Sequence, residues 1–161
     1  MQAVPGSRFL IVRPEGGSTI FRANMAERFS RHGVAAERIE FAAVRGGHLP
    51  YYDQMDVSLD TMPLTGGMTT CEALWMGVPV VSLAGKAVHE RLSHSLLTNA
   101  GLADLSTGSI EAFVAKAAEL ASDRARLADW RANGRMRIMA GPLGDLPRFG
   151  ADFFQLVTDV L

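Results

Sequence analysis

Residues 59–81 read LDTMPLTGGMTTCEALWMGVPVV, and the order of residue types along this stretch decides the fold. Just before and into it, 56–61 (DVSLDT) alternates apolar and polar residues, which predicts a strand. A loop follows at 62–67 (MPLTGG). A short helix is expected over 69–76, stopped by Gly77. Residues 78–83 are then almost continuously apolar, as strands are in a parallel sheet covered on both faces. Strand, glycine-bearing loop, helix, glycine and strand make up one unit of an α/β layer.

The pattern extends in both directions. Upstream, 9–12 is an apolar run ended by Pro14 and Gly16, a buried strand. Ser18 suits an N-cap, and Phe21, Met25 and Phe29 recur at helical spacing over 20–32 before Gly33. Residues 39–44 form a second strand. Gly46 and Gly47 break it, and 48–54 fits a short helix with Pro50 in its first turn. Downstream, helices are expected over about 90–100, over 109–121 capped by Ser109, over about 123–139, and over 149–161 with an amphipathic pattern. The expected fold is therefore α/β, a Rossmann-like parallel sheet in a single 1–161 lobe, with C-terminal helices from about 107. Ligands of such sheets bind beyond the carboxyl ends of the strands.

Composition narrows the class. The chain has 161 residues, 48% hydrophobic and 20% charged, with net charge −1. That suits one globular domain. The charge balance points to neither a nucleic acid nor a membrane surface as partner. No apolar run approaches the about 20 residues of a membrane helix, and the N-terminus lacks a signal pattern. Cys71 is the sole cysteine, so a disulfide framework and a cysteine zinc site are excluded. A cytoplasmic setting is expected.

The loop after the third strand is richest in chemistry. Gly66 and Gly67 let backbone amides approach a ligand closely. They precede a helix start near Met68 or Thr69, where unpaired N–H groups and a partial positive charge suit a phosphate. Thr69 and Thr70 add hydroxyls. Glu72, taken to lie in the first helical turn, could accept from ribose hydroxyls. The same residues also fit a structural role in which Thr69 caps and Glu72 complements the helix dipole. Elsewhere, His89 and His94 are five apart, wrong for one helix face, so a metal pair is not expected. Asp56 and Asp60 read as turn-bonding carboxylates, Cys71 as buried, and Trp75 as core.

The stretch 59–85 resembles the C-terminal lobe of the O-linked N-acetylglucosamine transferases, especially the bacterial type that carries tetratricopeptide repeats. The resemblance rests on Asp60, Pro63, Gly66, Thr69, Thr70, Glu72, Leu74, Trp75, Gly77 and Pro79, and on ERIEF (37–41), RLSHSLLTNAGL (91–102) and LPRFGADF (146–153). It implies the second lobe of a two-lobe GT-B glycosyltransferase. The donor it implies is UDP-N-acetylglucosamine and the acceptor a protein Ser or Thr. Transfer would be inverting, with no metal and no other cofactor. Within a turn that runs from Gly66 to Glu72, the diphosphate would sit on Gly67, Met68, Thr69 and Thr70, and the ribose on Glu72. Val44, Arg45 and His48 would meet the uracil, and Arg91 would face the phosphates or the sugar or brace its loop.

Two departures stand out. The animal enzymes have His before the Thr pair, where this chain has Gly67 and Met68, and RGGHLPYY (45–52) is shorter than the animal uracil loop and lacks its Lys or Glu pattern. The resemblance also implies that the first strand of the lobe, a lysine at its end and the whole acceptor lobe lie outside this chain. Catalytic residues are expected there and none in this chain, which is then inactive alone. A second copy or the missing lobe would fill the sheet. Competing readings are a UDP-sugar-binding module without chemistry, a purely structural half, and another two-lobe UDP-sugar enzyme such as an epimerase.

Overall fold

The computed structural model describes all 161 residues, which divide into two compact units, Met1–Asp56 and Val57–Leu161. The first unit pairs β1 (Phe9–Val12) with β2 (Ile39–Ala42) in parallel, Phe9 opposite Ile39 and Val12 opposite Ala42. Between them runs α1 (Thr19–Ser30), whose Ser18 cap accepts from the Phe21 amide. The helix stops before Gly33, which has φ +71°, a left-handed conformation that costs glycine no Cβ clash. Phe9 meets Phe29 at 5.4 Å between ring centres, and Phe21 meets Phe41 edge-on at 6.1 Å. Val34, Ile39, Ala42 and Tyr52 are the buried apolar residues. Arg38 donates to the carbonyls of Met1, Val4 and Ser7 and to the Ser7 hydroxyl, and so ties the N-terminal segment to this unit.

The second unit holds a parallel sheet of order β3–β4–β5, formed by Ser58–Asp60, Val80–Leu83 and Ser106–Thr107. Helix α2 (Met68–Trp75) connects β3 to β4, and α3 (Leu92–Asn99) lies between β4 and β5. Three further helices follow: α4 (Ile110–Ser122), α5 (Arg124–Ala140) and α6 (Leu146–Val160). α4 packs on β4 and β5, and α5 packs on α2 and α4. The core includes Ala73, Leu74, Val78, Val80, Val81, Leu97, Leu105, Leu120 and Trp130. Both faces of β4 are covered, which explains its continuous apolar run.

Several expectations shift. The third strand shortens to Ser58–Asp60 and the fourth to Val80–Leu83. β5 is two residues long, too short to leave an alternation pattern. The residue capping α2 is Gly67, and no side chain caps it, so Thr69 lies inside the helix rather than at its cap. Glu72 consequently sits in the second turn, and the first carries no acidic residue. Trp75 is not core: it is 40% exposed, with the Arg135 guanidinium 4.8 Å from its ring centre. The buried tryptophan is Trp130, 3% exposed, whose indole N–H has no partner.

Candidate functional site

The loop from β3 to α2 is fixed at every step by side chains from the elements around it. Asp60 ends β3. One of its carboxylate oxygens accepts from the Gly66 amide at 2.8 Å, and the other from the Ser82 hydroxyl of β4 at 2.6 Å. Ser82 is fully buried, and its carbonyl accepts from Thr107 of β5. Asp60 is thus the turn-bonding carboxylate its position suggested. Thr65 is buried, and both its amide and its hydroxyl donate to the His89 carbonyl, at 3.1 and 2.9 Å. The Ser93 hydroxyl of α3 donates to the Gly66 carbonyl at 2.8 Å. Thr70 and Ser93 lie 2.8 Å apart, both buried. Ser93 has one proton and spends it on Gly66, so Thr70 is the donor between them. Thr70 therefore directs its hydroxyl into the protein.

Two backbone amides of the turn remain open to a ligand. The amides of Thr70 and Cys71 both donate to the Gly67 carbonyl. No acceptor within the chain takes the amides of Gly67 and Met68. They lie at the N-terminal end of α2, beyond the carboxyl end of β3, where the helix dipole adds partial positive charge. Gly66 and Gly67 are partly accessible, while Met68 and Thr69 are exposed. Glu72 is half-buried one turn further along. Cys71 is half-buried rather than buried, and this partial burial pushes its thiol above its usual pKa, which fits an inert side chain.

The neighbouring loop after β4 is closed by Glu90. Its carboxylate accepts from the amides of Ala87 and Lys86 at 2.9 and 2.8 Å, and these bonds hold it below the usual carboxylate range. Arg91 donates to the Gly85 carbonyl at 3.2 Å and stays exposed, so it braces this loop. His94 meets the Ser106 hydroxyl at 2.9 Å. No group of three or more His, Cys, Asp or Glu side chains comes together as metal ligands.

The other predicted site residues belong to the first unit. After β2, Val44 is half-buried and Arg45 exposed. Gly46 and Gly47 both have positive φ, +72° and +62°, a reversal that side-chain-bearing residues rarely adopt. His48 caps the short 3-10 helix Leu49–Gln54, and its ring lies 6.3 Å from that of buried Tyr52. Sequence reasoning missed Ser93, Thr65 and Ser82. Their partners lie 22 to 27 residues away in the chain, and no local pattern marks them.

Comparison with known proteins places this geometry in a family. The family model described as glycosyl transferase family 41 matches residues 1–153. The chain is 33% identical over 156 residues to the "Probable UDP-N-acetylglucosamine--peptide N-acetylglucosaminyltransferase SPINDLY" of Petunia hybrida, covering 95% of this chain and 16% of the relative. It is 30% identical to the UDP-N-acetylglucosamine–peptide N-acetylglucosaminyltransferase of Caenorhabditis elegans, covering 98% of this chain and 14% of the relative. A solved structure of a mutant Thermobaculum terrenum O-GlcNAc transferase superposes with a TM-score of 0.85 at 32% identity, over 95% of this chain and 30% of that one. The chain thus spans about a sixth of the curated relatives. The superposition gives it the fold of the C-terminal lobe of a GT-B enzyme. The chain belongs to glycosyl transferase family 41.

Proposed function

We propose that the turn at 66–72 binds the diphosphate and ribose of UDP-N-acetylglucosamine. In this reading the chain is the donor-binding lobe of an inverting transferase that needs no metal and glycosylates protein Ser or Thr. The observation that carries it is the pair of unpartnered amides, Gly67 and Met68, at the head of α2 in a family 41 chain. When the bond from the sugar to the diphosphate breaks, its electron pair stays on UDP. Preorganised amides and a helix dipole suit that growing charge. Thr69 lies beside these amides and Glu72 one turn beyond, where it can accept from ribose hydroxyls. Val44, Arg45 and His48 would contact the uracil. Arg91 would support the loop facing the sugar.

The chain is a small share of its relatives, and the groups that deprotonate the acceptor are proposed to lie outside it. On its own it would bind the donor and transfer nothing. Partners would be the acceptor protein and the remaining lobe or a second copy.

Calorimetric titration with UDP tests the site. Binding should be measurable, and Glu72→Ala and Thr69→Ala should each weaken it by about 1–3 kcal/mol. An unsubstituted chain that shows no heat with UDP would sink the reading. Unchanged affinity in both variants would return these residues to a purely structural role.

A further inference from the structure

We propose that Ser93 is a positioning residue: by anchoring the Gly66 carbonyl it locks the Gly66–Gly67 peptide with its N–H aimed at the ligand. The inference rests on the diphosphate reading of the turn. The only cis peptide in the chain is Met62–Pro63, so the Gly66–Gly67 peptide is trans, with its C=O and N–H pointing in opposite directions. Ser93 is fully buried, and its hydroxyl holds that carbonyl at 2.8 Å. The Gly67 N–H at the other end of the same plane therefore points away from Ser93, and nothing in the chain accepts it.

The lock matters because of the residues it acts on. Flipping a peptide rotates ψ of the first residue and φ of the second. Here both are glycine, so no Cβ opposes either rotation. A flipped peptide would present a carbonyl oxygen to a phosphate, and the repulsion would replace a hydrogen bond. Asp60 holds the preceding peptide through the Gly66 amide but leaves this one free to turn. Of the contacts described, only the Ser93 hydroxyl fixes it. Thr70 donates to Ser93, which leaves the Ser93 proton no other acceptor and strengthens its bond to Gly66.

Affinity for UDP and the 15N–1H resonance of Gly67, measured on the full chain, test the idea. Ser93→Ala should weaken UDP by about tenfold. The Gly67 amide, which on this reading moves with UDP in the unsubstituted chain, should stop responding while the Met68 amide still shifts. Ser93→Cys keeps the size and a weak donor, so it should lose less, about threefold, and it carries the test should Ser93→Ala not fold. Thr65→Val removes a comparable buried hydroxyl bond in the same turn without freeing the peptide. The Thr65 amide still donates to the His89 carbonyl, so the Gly67 response to UDP should persist and the affinity should fall less than in Ser93→Ala. UDP binding and a Gly67 response unchanged in Ser93→Ala and Ser93→Cys would overturn the role of Ser93 alone. So would an equal loss in Thr65→Val, which would mark general loosening of the turn. Absence of UDP binding in the unsubstituted chain would overturn the diphosphate reading itself.

Discussion

Gly66 occupies a place where no side chain fits. A Cβ there would overlap the hydroxyls of Thr69 and Thr70, and the Thr70 hydroxyl cannot swing away without abandoning Ser93. Gly66→Ala should therefore push α2 back from the turn and weaken UDP by at least about tenfold, read by calorimetry. Wild-type affinity in that variant would show that the head of α2 is not the contact. Much of this site is visible in the sequence. By residue type and spacing the glycine pair, the threonines and Glu72 fit both a phosphate turn and a structural cap, and it is the family resemblance that selects the first. The hidden part is which hydroxyl does what. Thr70 looks like a ligand donor in the sequence, yet burial turns it toward Ser93, 23 residues away. Asp60 was legible as a turn residue, but its bond to Ser82 depends on strand pairing that the sequence does not display.

At the scale of elements, caps were the most legible feature. Ser109 accepts from the Ala112 amide and Asp123 from the Arg126 amide, each at the head of a helix expected there. These are local interactions, so local sequence encodes them. α2 is the exception. Its cap is Gly67, which has no side chain to advertise the role, and the start reads one residue late. Packing between elements was not legible. Asp104 meets Arg126 of α5 through two 2.8 Å hydrogen bonds, and Lys116 of α4 approaches at 3.7 Å. The Arg126 bonds, against an opposing effect of partial burial, hold the Asp104 carboxyl below the usual carboxylate range. A carboxylate whose pKa falls on folding adds stability above its unfolded pKa and loses it as pH drops through the lowered folded value. Asp104→Asn should thus cost about 0.5–1 kcal/mol at neutral pH, a modest figure because the pair is partly exposed. The difference should shrink as pH falls below about 4. Urea unfolding at several pH values measures it, and a pH-independent cost would assign the effect to packing instead.

Across the whole molecule, parallel pairing in every ladder bears out the α/β reading. Apolar patterning says that a segment is a strand but not which strand it joins. The resemblance implies a sheet with one strand missing, but apolar patterning did not say which strands would pair in the two-stranded and the three-stranded sheet that form. The last helix shows the same limit. α6 was expected from its amphipathic spacing, yet none of its residues is buried, and Phe149, Phe153 and Leu156 are 66%, 52% and 65% exposed. The chain ended after residue 145 should consequently keep its melting midpoint within about 2 °C by circular dichroism. A larger fall would mean that α6 is held against the rest of the chain.

The most direct test follows the Gly67 and Met68 amides by 15N–1H correlation spectra while UDP is added. Both resonances should move together and saturate with the calorimetric affinity, as the proposed donation of these N–H groups to the diphosphate requires. Saturable shifts elsewhere, with Gly67 and Met68 unmoved, would contradict a diphosphate seated on the head of α2.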